Sequence, residues 1–240
     1  MNAVITGASR GIGKAIALDF AKAGYNLVIT CQNSKDELET VAENITDEYG
    51  VKVITYVGNM GDAGCVEDLR ELVESQFGEV DVVVNNAGRS VVGLFTDMTS
   101  DYWNELINAN LSSAFFVSQA FAKGMIRKQS GCIINISSIW GRYGASCEVA
   151  YSATKGAIDA MTKAMAKELA PSHIRVNAIS CGVIDTSMNN HLDADEKAEL
   201  ADSIPAGRFG TPEEVARLCT QIVDAPEYMT GQVIGLDGGF

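Results

Sequence analysis

The stretch Ala3-Val4-Ile5-Thr6-Gly7-Ala8-Ser9-Arg10-Gly11-Ile12-Gly13 decides the reading of this chain. A short β-branched run, 3–6, passes directly into a glycine-rich turn, and an apolar helical pattern follows over 11–23. In a strand–turn–helix of this kind each glycine has its own task. Gly7 allows the tight turn, Gly11 lets the backbone approach a pyrophosphate, and Gly13 lets the helix pack close to the strand. The helix N-terminus then offers unpaired N–H groups to an anion. The spacing is G-x-x-x-G-x-G, not G-x-G-x-x-G, and it lacks the Lys-Ser/Thr ending of a P-loop. A purely structural turn is the competing reading of the three glycines alone.

Outward from that unit the same alternation repeats. Apolar runs at 27–31, 51–57, 80–84, 132–137, 174–179 and 233–236 predict further strands, and amphipathic stretches at 35–49, 65–77, 100–127, 151–169 and 212–223 predict helices. Several of the runs are almost wholly apolar, as strands covered on both faces must be. Right-handed βαβ units then give one doubly wound α/β domain over 1–240, with seven parallel strands and helices on both faces. The stretch 182–210 breaks the rhythm, with no strand and a charged, helical pattern near 193–203. Following a strand end, it reads as a substrate-covering lid, or as a plain surface excursion.

Composition narrows the class. With 240 residues the chain can bury a sizeable core, and 47% hydrophobic with 20% charged residues is ordinary for a globular protein. A net charge of -13 disfavours nucleic acid as a partner. Cys31, Cys65, Cys132, Cys147, Cys181 and Cys219 are scattered without metal-ligand spacing, so no metal site is expected and a reducing, cytoplasmic setting is. No leader pattern and no long apolar run is seen, so no membrane span is expected.

The second strand bears on the anion. It ends in Cys31-Gln32-Asn33-Ser34-Lys35, with no acid before Asp36 to take a ribose 2′-hydroxyl, while Arg10 in the glycine loop can face a 2′-phosphate. NADP(H) is expected over NAD(H).

Tyr151 and Lys155 stand four apart at the start of a helix, which puts them on one face. Bringing a phenol to near neutrality takes about 4 kcal/mol, and a neighbouring ammonium is expected to supply much of it. Ser138, at a strand's carboxyl end, can hold a carbonyl oxygen, and Asn110, in the long helical stretch, can orient a water beside Lys155. By itself Tyr-x-x-x-Lys is most often a surface pair.

Taken together, Thr6–Gly13, Asn85-Asn86-Ala87-Gly88, Asn110, Ile136-Ser137-Ser138, Tyr151-Ser152-Ala153-Thr154-Lys155, Arg175-Val176-Asn177-Ala178-Ile179 and Asp237-Gly238-Gly239 make the chain resemble the short-chain dehydrogenase/reductase family over essentially its whole length. The nearest branch is 3-oxoacyl-[acyl-carrier-protein] reductase. The resemblance implies a Rossmann-type fold, a catalytic set of Asn110, Ser138, Tyr151 and Lys155, and a homotetramer built on the helices of Asn110 and Tyr151 and the C-terminal strand region. It implies that Gly7, Ser9, Arg10, Gly11, Ile12, Gly13, Asn33, Asn59, Met60, Asn86, Ala87, Gly88, Tyr151, Lys155, Val183, Ile184 and Thr186 bind the cofactor.

Two positions depart from the family. Asn59 stands where an aspartate usually meets adenine, and Cys181-Gly182 replaces Pro-Gly, which is expected to free the backbone entering the lid. Cys181 is therefore either a reagent-sensitive thiol shielded by cofactor or a buried inert one. His173 reads as a loop residue, His191 as a lid residue near substrate, Trp103 and Trp140 as packing with Trp140 beside the substrate, and Met161 with Met165 as core or interface.

The expected activity is NADPH-dependent reduction of a ketone, best a 3-oxoacyl thioester. Acyl-carrier protein is acidic, and only Arg127 and Lys128 offer it charge beside the active-site strand; Gln129, Ser172 and His173 are weak replacements. A reductase of free ketones, sugars or steroids is the alternative, and a silent cofactor-binding regulator the minor one.

Overall fold

The computed structural model describes residues 1–190 and 192–240; His191 lies outside the described residues. Seven strands, β1 (Asn2–Ile5), β2 (Asn26–Cys31), β3 (Val53–Val57), β4 (Val82–Asn85), β5 (Gly131–Ser138), β6 (Ile174–Cys181) and β7 (Val233–Leu236), form one sheet. Their order is β3-β2-β1-β4-β5-β6-β7, and every neighbouring pair is parallel. The helices are α1 (Gly11–Lys22), α2 (Lys35–Tyr49), α3 (Ala63–Phe77), α4 (Ser100–Ile107), α5 (Ser113–Lys128), α6 (Trp140–Tyr143), α7 (Val149–Leu169), α8 (Ala194–Ser203) and α9 (Pro212–Val223).

Successive strand residues face opposite sides, and the sheet uses this to build two cores. Ile5, Leu27, Ile29, Val84 and Ile134 meet Phe20 of α1, Ile45 of α2 and Val215 of α9. Val4, Val28, Val83, Ile133 and Val176 meet Leu69 of α3 and Phe121 and Met125 of α5 on the other side, with Ala166 of α7. Each such fully buried side chain contributes about 1.5–3 kcal/mol, so pattern outweighs propensity here.

Local chemistry sets the element ends. Asp62 caps α3 by accepting from Cys65 N, and Thr211 with Glu214 forms a reciprocal capping box at α9, whose first residue is Pro212. The single helix expected over 100–127 is divided. A π-helical turn at Asn108–Ser112, which carries Asn110, separates α4 from α5. Such turns bulge a helix and re-aim one side chain. β6 runs two residues beyond the expected 174–179, through Cys181. Cysteine, unlike proline, keeps the position inside the ladder, where it aligns with Ser138 and Leu236. Gly182 N then donates to Leu236 O at 2.9 Å, so the backbone leaving β6 is tied down rather than freed.

The insert leaves the sheet at Gly182 and passes Gly210 into α9. Ile184 and Gly210 form an isolated parallel bridge that closes its neck. Within it Asp193 and Glu196 make a capping box that starts α8. Two strands position the site. β1 and β4 are sequence-distant neighbours, and between them the strand order reverses, leaving a crevice at their carboxyl ends.

Candidate active site

Two adjoining cavities open at the carboxyl edge of the sheet. The first, of about 550 Å³, is lined by Gly7, Ser9, Arg10, Gly11, Ile12, Asn33, Asn59, Met60, Asn86, Ala87, Gly88 and Thr186, joined by Thr30 and Gln32. Gly7 (φ 66°) and Gly11 (φ 54°) take the left-handed conformation that leaves the loop backbone bare. No side chain caps α1, whose N-cap residue is Arg10, so its first-turn N–H groups are left for an anion. Gly13 lines neither cavity. It packs: a Cβ there would lie 2.2 Å from Gly7 O and 2.5 Å from Asn86 Nδ2. Asn86 Nδ2 ties the loop to the end of β4 by donating to Thr6 O and Gly7 O, both at 2.9 Å. Asn59 Oδ1 accepts from Gly61 N at 3.0 Å and its Nδ2 donates to Asn108 Oδ1 at 3.0 Å. Its amide is thus held in place at the wall of the cavity.

The second cavity, of about 570 Å³, contains Ser138, Tyr151, Lys155, Val183 and Ile184. Ile12, Asn86, Gly88, Arg89, Thr186 and Met188 line both cavities and form their common wall. Ser138 lies at the end of β5 and its Oγ accepts from Trp140 N at 3.2 Å. Tyr151 and Lys155 sit on the first turns of α7, with Lys155 Nζ 5.5 Å from the Tyr151 ring centre and donating to Ile136 O at 2.8 Å. Trp140 stacks edge-on against Phe240 while lining this cavity. Trp103, by contrast, is 42% exposed on α4 and packs into no core. His173 takes a left-handed turn just before β6.

Asn110 is buried beside both cavities yet lines neither. Its Nδ2 donates to Arg89 O at 2.9 Å and Thr154 Oγ1 at 3.1 Å, and its Oδ1 accepts from Arg89 N at 2.8 Å. The π-turn therefore aims this amide at the segment after β4 and at α7, which it pins together.

The profile of the family described as short chain dehydrogenase matches residues 1–197. The chain is 41% identical over 237 residues to the 3-oxoacyl-[acyl-carrier-protein] reductase FabG of Thermotoga maritima, covering 98% of this chain and 96% of that one. It is 39% identical over 239 residues to YmfI of Bacillus subtilis, an uncharacterized oxidoreductase, covering 99% and 98%. The chain belongs to the short-chain dehydrogenase family. Its structure superposes on that of YwfH, an NADPH-dependent reductase involved in bacilysin biosynthesis, with a TM-score of 0.93 at 29% identity, covering 99% and 97%. A short-chain dehydrogenase/reductase of Mycobacterium marinum gives the same score at 36% identity, covering 99% and 94%. This short-chain dehydrogenase is accordingly an oxidoreductase of single-domain α/β architecture.

Electrostatics at the site differ from the sequence expectation. Burial dominates at Tyr151 and pushes its phenol well up, against the pull of the Ser138 hydroxyl, with the nearby Cys181 and Glu148 adding to the rise. Lys155, whose ammonium points to Ile136 O, does not bring the phenol down to neutrality. Its own pKa is pulled down to about 8 by burial, with Cys181 and Asp159 acting the other way. Tyr151 is thus held firmly as the protonated form, the state a proton donor needs.

Cys181 is buried at the back of the second cavity, and burial pushes its thiol up to about 12. Burial thus keeps the thiol protonated at about pH 8, and reactivity needs the thiolate, so the structure favours the inert reading. We expect iodoacetamide at that pH to label Cys65 and Cys147, which are partly exposed, and to leave Cys181 unlabelled with or without cofactor. Peptide mass mapping checks this; labelling of Cys181 on the time scale of Cys65 would contradict it.

The basic pair is also displaced. Arg127 and Lys128 end α5, at the start of β5, whereas Ser138 ends that strand about 23 Å away at ~3.3 Å per residue. Arg127 pairs with Glu74 at 3.6 Å, and Lys128 with Asp81 and Val80 O. Lys128 is held by partners within the chain while Arg127 makes only an exposed pair, and both stand at the wrong end of the sheet to guide a partner to the site. Sequence reading also passed over Arg89, Ser90 and Glu148, which line the second cavity. Glu148 did carry a signal, standing three residues before Tyr151 and so one helical turn away.

Proposed function

We propose that this oxidoreductase is an NADPH-dependent carbonyl reductase whose substrate is a ketone, best a 3-oxoacyl thioester. The observation that carries the reading is the common wall of the two cavities: a phosphate-binding glycine loop on one side and the Ser138, Tyr151 and Lys155 cluster on the other. The glycine cradle and the uncapped α1 fit a nicotinamide dinucleotide, which when bound supplies hydride. Gly7, Ser9, Gly11 and Ile12 hold its phosphates, Asn33, Asn59 and Met60 its adenosine end, and Asn86, Ala87 and Gly88 the crevice between. Val183, Ile184 and Thr186 hold the nicotinamide end. Ser138 positions the carbonyl oxygen, Tyr151 gives it a proton, Lys155 supports Tyr151 and the cofactor ribose, and Asn110 acts by positioning the Arg89 segment against α7.

The preference for the 2′-phosphate rests on charge. In a chain of net charge -13, no Asp or Glu lines the first cavity, and of its two arginines Arg10 pairs with no carboxylate among the described residues, while Arg89 pairs with Glu105 at 2.8 Å. The FabG and YwfH names accord with a ketoreductase using NADPH. The insert over 182–210 serves as a lid through Met188, Leu192 and Leu200, which line the second cavity. Tyr102, Trp103 and Phe115, exposed on α4 and α5, supply apolar surface for a homotetramer. No helix among the described residues is long and apolar enough to cross a membrane, in keeping with a cytoplasmic enzyme.

The test is NADPH consumption with acetoacetyl thioesters, free and carrier-bound, beside a panel of ketones, sugars and steroids. We expect thioester turnover and at least about tenfold higher kcat/KM with NADPH than NADH, one charge-assisted contact being worth about 1.5–3 kcal/mol. Gln32→Asp should move that ratio toward NADH by placing an acid at the end of β2. Equal use of both cofactors by the parent would refute the Arg10 assignment. Turnover confined to other ketones would retain the chemistry and change the substrate.

A further inference from the structure

The second cavity has a polar corner that the proton-donor cluster does not use. Glu148 precedes α7, but its carboxylate does not cap that helix. It instead accepts a hydrogen bond from Ser90 Oγ, on the segment after β4. The corner is built: Gly93 N donates to Cys147 O at 2.8 Å, joining the two segments, and Cys147 holds a left-handed φ of 61° that a cysteine rarely adopts. Backbone strain of this kind persists where the surroundings over-determine it. Glu148 is the one carboxylate lining the second cavity among the described residues, and its charge is felt by the Tyr151 phenol. Two cations share the lining, but neither forms an ion pair with Glu148: Arg89 pairs with Glu105, and the Lys155 ammonium points to Ile136 O.

We propose that Glu148 is the specificity-determining residue of this cavity, rejecting free 3-oxo acids and selecting uncharged 3-oxo derivatives, most strongly amides that add an N–H donor. The inference rests on the ketone reading above and narrows its substrate class. A carboxylate offers about four lone-pair sites; Ser90 takes one, and the others accept a donor in a charge-assisted bond. A free acid brings a second carboxylate to the same corner, and like charges in a half-buried site repel far more than in water. An amide or thioester derivative brings none.

The experiment measures binding, not turnover. Protein loaded with NADP+, which cannot reduce a ketone, is titrated calorimetrically with acetoacetamide and with acetoacetate. The parent is expected to bind the amide at least about tenfold more tightly, and Glu148→Gln, which keeps the Ser90 contact without the charge, to bring the two affinities within about twofold. Glu148→Ala serves if the glutamine variant does not fold. A ratio near one in the parent, or a ratio unchanged in the variant, overturns the inference while leaving the ketone reading intact. Failure of the cofactor-loaded parent to bind either compound overturns both.

Discussion

Tyr151→Phe lowers kcat and kcat/KM together by about 10²–10⁴-fold, the range for loss of a positioned general acid, while the unfolding midpoint stays near the parent's. The aromatic ring keeps its packing, and only a hydroxyl is lost. In the structure that hydroxyl belongs to a buried phenol with its pKa raised by desolvation and offset by Ser138. A group so held keeps its proton until a carbonyl oxygen gains charge as hydride arrives, so its contribution falls in the transition state and not in substrate binding. Interactions made only there reduce kcat and kcat/KM by the same factor. Ketone reduction assayed with saturating NADPH, beside thermal unfolding of both proteins, measures the two quantities. Residual activity above about a tenth of the parent would remove Tyr151 from the role of proton donor.

Gly13→Ala is expected to cost about 2–6 kcal/mol of stability and to weaken cofactor binding by more than about tenfold. The added methyl would meet Gly7 O at 2.2 Å, a backbone atom, and Asn86 Nδ2 at 2.5 Å. Neither can yield freely. Gly7 is itself confined, since its own missing Cβ would stand 2.9 Å from Ala87 Cα. Asn86 would have to give up its bonds to Thr6 O and Gly7 O. Overpacking costs about 1–3 kcal/mol, and each hydrogen bond lost adds about 0.5–1.5 kcal/mol. Displacing Gly7 also displaces the phosphate cradle, which is why stability and cofactor affinity should fall together. Gly11→Ala is the comparison: there the nearest atom is the Thr186 methyl at 3.5 Å, and the penalty is chiefly the left-handed φ, about 1–2 kcal/mol. Urea unfolding and a cofactor titration on both variants decide the matter. A Gly13→Ala protein with parental midpoint and affinity would show that the loop relaxes at no cost.

The wall shared by the cavities also explains why both variants bear on one reaction. Ile12, Asn86 and Gly88 belong to the glycine loop, the end of β4 and the turn after it, and each faces the loop side and the Tyr151 side. A shift of the loop is therefore passed to the place where hydride and proton must arrive together. Asn110 stabilises the same wall from behind through Arg89 and Thr154.

The parallel α/β fold, the glycine loop and the Tyr151–Lys155 pair are legible in the order of residues. They are local patterns: strand runs apolar on both faces, helical periodicity, glycines placed straight after β1, and a four-residue spacing on one helix. Other features exist only once the chain is packed. Packing divided the helix at Asn108–Ser112 and turned Asn110 toward Arg89, carried β6 on to Cys181, and put Arg127 and Lys128 at the far end of β5. It raised the Tyr151 phenol where an adjacent ammonium had suggested lowering, and joined Ser90 to Glu148 across 58 positions of chain. The physical reason is common to all of these. Desolvation depends on everything packed around a group, and a hydrogen bond between distant segments depends on where the sheet brings them, and neither quantity is encoded in the spacing of neighbouring residues.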